Sequence, residues 1–192
     1  DRGYVTREEG LARMERIVSF LEKADRFHGA YPHWWYGDTG KVKPFGQKDN
    51  GGDLVETAFL IQGLLAVHQY YINGNEKEKA LAARIDQIWK DVDWNWYRNG
   101  DQNVLYWHWS PTYGWEMDFP IHGYNECMIM YILAAASPTH GVPAATMAGR
   151  KTELSSPRIK WKESSYISAI RARKPDRFSG HNTPSSDSTP SV

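Results

Sequence analysis

Apolar residues recur at helical spacing in four stretches of the chain, and the stretches alternate in kind. From Thr6 to about Ala24, Leu11, Met14, Val18 and Leu21 form a single stripe, so the spacing predicts an amphipathic helix. Thr6 with Glu9 three residues on makes a capping box at its start. From about Asp53 to Tyr71 the pattern changes. Leu54, Val55, Phe59, Ile61, Leu64, Leu65 and Val67 surround most of the circumference, which predicts a buried helix closed by Asn73-Gly74-Asn75. A third helix, about Glu76 to Trp96, carries one stripe (Leu81, Ile85, Ile88, Trp89, Val92 and Trp96) opposite a charged face. A fourth starts near Asn125 and runs to Ala136, apolar nearly all round, with Ser137-Pro138 as its stop. Half-exposed, buried, half-exposed, buried is the order of a chain weaving between an outer and an inner ring of helices. The predicted class is all-α.

The connections are long and hold Trp, Tyr, His and Gly, which is unusual for mere connectors. One runs through Phe27 to Trp35. Another contains Trp107-His108-Trp109-Ser110-Pro111 and Trp115. Between the first loop and the second helix stands Asp49-Asn50-Gly51-Gly52-Asp53-Leu54-Val55-Glu56-Thr57. Two readings of it are open. Asp53 and Glu56 form a capping box for the helix, worth about 1 kcal/mol. Alternatively Asp49, Asp53 and Glu56 converge on one cleft, where crowding of like charge raises one pKa and makes an acid/base pair. The fourth helix also opens on a carboxylate, Glu126, so both inner helices would bring acids to one end of the assembly.

Aromatic loops beside carboxylates point to sugar recognition. Sugar rings offer flat C–H faces that stack on aromatic rings, while their hydroxyls need polar partners. Trp34, Trp35, Trp107, Trp109 and Trp115 are the stacking candidates, with at least half of them expected simply to fill space under loops. His33, His108, Tyr124 and Asn125 are the expected hydrogen-bonding partners. His28, His33 and His108 with Asp49 match no strong zinc spacing, so no metal and no cofactor is expected. His68, inside the second helix, reads as a hydrogen-bonded core histidine.

Formal net charge is zero over 192 residues but is unevenly spread. Residues 1–146 hold 14 Lys and Arg against 19 Asp and Glu, a net of −5, whereas residues 147–192 hold 9 against 4, a net of +5. Eight of the nine Trp lie in the first part, and the second has ten Ser, four Pro and little periodicity. Only the basic tail would argue for nucleic acid, so no such partner is expected. No apolar run is long enough to span a bilayer, and no membrane partner is expected. The single Cys127 excludes an internal disulfide.

Three motifs carry a resemblance. Asp49 to Leu60 (DNGGDLVETAFL), Tyr106-Trp107-His108-Trp109-Ser110-Pro111 and Gly123-Tyr124-Asn125-Glu126-Cys127 resemble the glycoamylase-like family, which includes bacterial endo-β-1,2-glucanases and domains of cyclic β-1,2-glucan synthases. Ala134-Ala135-Ala136-Ser137-Pro138-Thr139-His140 continues it, and the likeness covers about residues 4–146. The resemblance implies an (α/α)6-barrel toroid, of which residues 1–146 would be about the first half. It implies inverting hydrolysis of a β-glucan, with Asp49, Asp53, Glu56 and Glu126 on the family's acidic cleft positions. Inverting carboxyls stand about 6.5–9.5 Å apart, so a pair split between the two inner helices is expected. A transglycosylase, or a non-catalytic carbohydrate-binding helical module, is the alternative. The expected partner is an oligo- or polysaccharide, bound by a monomeric parent in the periplasm or outside the cell.

Residues 147–192 depart from the family. They read as an out-of-frame translation, because the shifted frame between Asp176 and Pro190 permits Pro-Leu-Phe-Trp-Ala-Gln-Tyr-Ser-Phe-Leu-Gly-Leu-Asp-Pro, a string like the family's later part. That tail is expected to be mostly disordered. The chain with it is expected to be inactive or nearly so.

Overall fold

The first helix, α1, spans Arg7–Leu21 and opens on the capping box read from the sequence. Glu9 N–H donates to Thr6 Oγ1 at 3.2 Å, and Thr6 N–H donates to Glu9 Oε2 at 2.9 Å. It buries Val18 and Leu21 and ends three residues before the predicted Ala24. The computed structural model describes residues 3–123 and 125–149, all within one compact unit, Asp1–Ser155. A two-residue strand, β1 (Gly52–Asp53), leads directly into α2 (Leu54–Tyr71). Asn75 then caps α3 (Glu76–Lys90) with a second box, completed by Glu78. Glu78 is nearly buried and paired with Arg7, which ties the start of α3 to the start of α1.

The third helix is shorter than its stripe suggested. It stops at Lys90, and the chain turns through buried Val92 and Trp94 into a 3₁₀ turn at Trp96–Arg98. The reversal is completed by Asn99 and Gly100, both at positive φ (47° and 77°). Trp96 is therefore not a core position; it is 40% exposed and stacks on His28. A second strand, β2 (His108–Trp109), pairs antiparallel with β1, Gly52 opposite Trp109 and Asp53 opposite His108. This ribbon was not expected of an all-α chain. The fourth helix, α4, spans Met128–Ala136 and starts three residues later than predicted, leaving Asn125, Glu126 and Cys127 in a preceding turn. Ser137-Pro138 ends it as read. A short α5 (Ala144–Gly149) crosses the expected boundary at residue 146. The expectation for residues 147–192 otherwise lies outside the described residues.

Helices α1 and α3 pack together, α2 packs on α3, and α2 packs on α4. This is a two-layer order with α1 and α3 on one side and α2 and α4 on the other, as the alternation implied. The core between them holds Leu54, Ala58, Ile61, Leu81, Ile85, Trp94, Leu105, Met130 and Tyr131. Complete burial of the two inner helices is corrected. Phe59 on α2 and Ile132 on α4 are 40% and 48% exposed, because only the faces toward the partner layer are covered among the described residues. His68, for the same reason, is half-buried rather than a core residue.

Three buried tyrosines staple loops to this core through their hydroxyls. Tyr31 donates to Leu21 O (3.2 Å), Tyr97 to Phe27 O (2.8 Å) and Tyr131 to Ile121 O (2.8 Å). Burial pushes the Tyr31 phenol up to about 12 and the Tyr97 phenol well above its usual value. A raised folded-state pKa favours the protonated form, so this stabilisation is complete below about pH 10 and is lost as pH rises through the folded values. For Tyr31 the loss amounts to about 2–3 kcal/mol. Alkaline titration should therefore show phenolate absorbance and helical circular dichroism changing together. Tyrosines that all ionise near pH 10 with the helices intact would contradict it.

Candidate functional site

Asp53 stands where β1 becomes α2, and every polar part of it has a partner. Its N–H donates to Tyr31 O (2.8 Å), its Oδ1 accepts from Glu56 N–H (2.9 Å), and its Oδ2 lies 3.0 Å from His33 Nδ1. The residue has no solvent-exposed surface. Thr57 Oγ1 donates to Asp53 O (2.6 Å) and accepts from Tyr31 N–H (2.8 Å), which locks the first aromatic loop to the first turn of α2. Only half of the expected capping box forms. The Glu56 side chain does not return to Asp53 and is exposed.

Asp49 is buried one turn of chain earlier, with Oδ1 at 3.2 Å from the Nε2 of the buried His108. Gly51 N–H donates to the same nitrogen at 3.3 Å. Asp49 Oδ2 and His108 Nδ1 are both buried and have no hydrogen-bond partner among the described residues. Beside them Ser110 Oγ donates to Asn50 Oδ1 (2.6 Å) and accepts from Thr112 and Tyr113 N–H (3.0 and 2.9 Å). The DNGGD and WHWSP segments are thus one hydrogen-bonded unit, built across the β1–β2 ribbon.

Glu126 comes from the approach to the other inner helix, α4. It is exposed on the turn before α4, a turn shaped by Asn125, whose amide donates to His122 O (3.0 Å) and whose Oδ1 accepts from Cys127 N–H (3.0 Å). Asn125, expected to meet substrate, uses its carboxamide to build this turn. The neighbouring Cys127 thiol reports what surrounds it. Burial pushes its pKa up, and the charges of Glu126, Asp53 and Glu56 push in the same direction. Three of the four predicted carboxylates therefore act on one point. Glu126 and Cys127 also line a pocket of about 480 Å³ with Phe119, Ile121, His122 and Asn125.

Aromatic side chains flank the carboxylates on two sides. Trp34 (46% exposed) meets Phe45 (54% exposed) edge to face at 4.8 Å, and Phe45 lies 4.5 Å from the His33 ring. Trp107 meets Phe119 (56% exposed) in the same way at 5.8 Å. Trp109, by contrast, packs its edge against His28 and Trp96, and Trp35, Trp89 and Trp115 pack on the core as filling; Trp107 also packs on the core, with one edge toward Phe119. Tyr124 lies outside the described residues. Sequence reasoning missed Phe45 and Phe119. Each sits beside a proline in an irregular stretch, where neither a helical nor a strand face exists to bury it, and that is the signal that would have found them. Among the described residues no group of three or more His, Cys, Asp or Glu is placed to hold a metal, and no helix is long and apolar enough to cross a membrane.

Known proteins are similar to this chain in sequence and fold. The family described as "Putative glucoamylase" matches residues 118–172. The exo-β-1,2-glucooligosaccharide sophorohydrolase (non-reducing end) of Parabacteroides distasonis is 54% identical over 144 residues, 74% of this chain and 20% of that protein. A crystal structure from Bacteroides caccae, described in the family's words, superposes with a TM-score of 0.78 at 86% identity, over 81% of this chain and 38% of that one. The endo-β-1,2-glucanase of Chitinophaga pinensis, solved with sophorotriose and glucose, also has a TM-score of 0.78, with 72% identity over 81% of this chain and 37% of its own. The chain thus spans well under half the length of each of these relatives.

Proposed function

We propose, on the premise that this chain is a partial-length relative of the glycoamylase-like glycoside hydrolases, that it supplies one side of the cleft of an enzyme hydrolysing β-1,2-linked glucan with inversion. The observation that carries the reading is that Glu126 lines a pocket with Cys127 and the exposed Phe119, and that the charges of Glu126, Asp53 and Glu56 all bear on that Cys127 thiol. Glycosidic cleavage needs a proton for the leaving oxygen and a carboxylate to activate water on the opposite face of the sugar. Asp49 and Asp53 are enclosed and cannot touch a sugar, whereas Glu56 and Glu126 are open to one. We assign proton transfer to Glu126 and the opposing role within this chain to Glu56. They come from different helix starts, whereas an inverting pair needs carboxyls about 6.5–9.5 Å apart, farther than neighbours on one helix turn stand. The aromatic pairs would hold sugar rings on either side of the scissile bond. The same reading places the parent enzyme in the periplasm or outside the cell, where such a polymer is met.

The test is a chimera in which residues 3–149 replace their counterpart in the 86% identical relative, so that the remainder of the fold is supplied. Incubated with linear β-1,2-glucan, it should release new reducing ends whose first-formed anomer is α. The 192-residue chain by itself should turn over far less. A folded chimera that releases no reducing ends would remove the hydrolase reading, and a β anomer formed first would remove inversion.

A further inference from the structure

Asp53 and His33 form a pair that acid/base chemistry on Asp53 leaves unexplained. Asp53 has no exposed surface and both carboxylate oxygens are engaged, one by Glu56 N–H and the other by His33 Nδ1. With no open surface, the Asp53 carboxylate does not itself meet a substrate; whatever it does there passes through His33. His33 is different: its side chain keeps 23% of its surface open. With Nδ1 turned to Asp53, Nε2 is the polar atom on the ring's open edge. The ring itself meets Trp34 edge to face (5.4 Å between ring centres) and lies tilted on Phe45 (4.5 Å), two side chains that are both about half exposed.

Resting on the glucan reading above, we propose that Asp53 is a positioning residue that holds His33 as its Nδ1–H tautomer, so that Nε2 faces the aromatic wall as a hydrogen-bond acceptor for a sugar hydroxyl. An ionised carboxylate is an acceptor only, so it selects the tautomer whose proton sits on the facing nitrogen. The opposite nitrogen is then left with a lone pair and no proton. A neutral ring nitrogen accepts a hydrogen bond from a sugar hydroxyl while carrying no charge itself. The buried side of the pair is tied to α2 by its cap, so the ring orientation follows the helix start rather than the loop.

The substitution Asp53→Asn tests this cleanly. Asn caps a helix as well as Asp does, so Oδ1 continues to accept from Glu56 N–H. Its amide then presents N–H to His33 Nδ1, which must become the acceptor, and the proton moves to Nε2. Two-bond proton–nitrogen correlation spectra of the ¹⁵N-labelled 192-residue chain read the tautomer directly, and His33→Phe assigns the resonance. The wild type should show a protonated Nδ1 and an unprotonated Nε2, and Asp53→Asn should exchange them with an unchanged melting temperature. Placed in the chimera, both substitutions should weaken sophorotriose binding about tenfold, the loss of one hydrogen bond. A wild-type ring protonated on Nε2, or on both nitrogens at neutral pH, overturns the proposal. So does an Asp53→Asn chimera that binds sophorotriose as tightly as the unsubstituted one. Expected tautomers with a folded chimera that binds no sophorotriose at all would overturn the glucan reading and the acceptor role together, leaving only Asp53's hold on the ring.

Discussion

Replacing Glu126 by Gln should lower turnover of linear β-1,2-glucan by the chimera about 10²–10⁴-fold, with KM changed little. The amide has the shape of the carboxyl but neither gives nor takes a proton at neutral pH, so the loss falls on the step in which the glycosidic oxygen leaves. The residue is exposed on a turn rather than packed in the core, so the variant should melt where the wild type does. An internal check comes with it. Glu126 charge is one of the influences that raise the Cys127 thiol pKa, so Glu126→Gln should bring that pKa down and speed thiol alkylation. Glu56→Gln should cause a loss of comparable size if Glu56 opposes Glu126. Retained turnover in Glu56→Gln would place the second carboxylate in the part of the fold that the relatives have beyond these residues. Retained turnover in Glu126→Gln would leave the assignment without its main support.

Gly51→Ala should destabilise the chain by about 3 kcal/mol or more and abolish sophorotriose binding. A Cβ at this position would fall inside the Trp109 carbonyl oxygen and 2.7 Å from Ser110 Cα. Both obstacles are backbone, so neither can rotate away, and relief requires β1 and β2 to separate. Separation moves His108 off Asp49 and shifts Asp53, the cap of α2, out of reach of His33. Gly63→Ala is the control. It lies mid-helix on the open face of α2, where an added Cβ meets nothing within 4 Å, and should raise stability by about 0.5–1 kcal/mol. Chemical denaturation of both variants decides the matter. Equal, small effects would mean that the ribbon does not hold the site together.

The four long helices were legible because each carries its own signals. Thr6 with Glu9, and Ser137 before Pro138, mark ends by bonds that form or fail within a few residues. The end of α3 was not legible, since Trp96 continues the helical spacing. What stops the helix is tertiary: Val92 and Trp94 are drawn into the core, and Asp93 N–H donates to His28 O across the fold at 3.0 Å. Full burial of α2 and α4 was overread for a related reason. Composition around a helix records what surrounds it in a complete fold, while the described residues cover only the faces toward α3 and the core.

The sequence by itself determined the helices, their two-layer order, the Thr6 and Asp53 caps and the presence of acids at or near the starts of both inner helices. All of these follow from short-range spacing or from residue chemistry. Only the tertiary structure divided those acids into two kinds. Asp49 and Asp53 face His108 and His33, partners 59 and 20 positions away in the chain, and are enclosed by them. Glu56 and Glu126, 70 positions apart, are left open around one thiol. Which carboxylate is enclosed and which can meet a substrate depends on contacts between distant segments. A three-residue spacing such as Asp53 to Glu56 looks the same in either case.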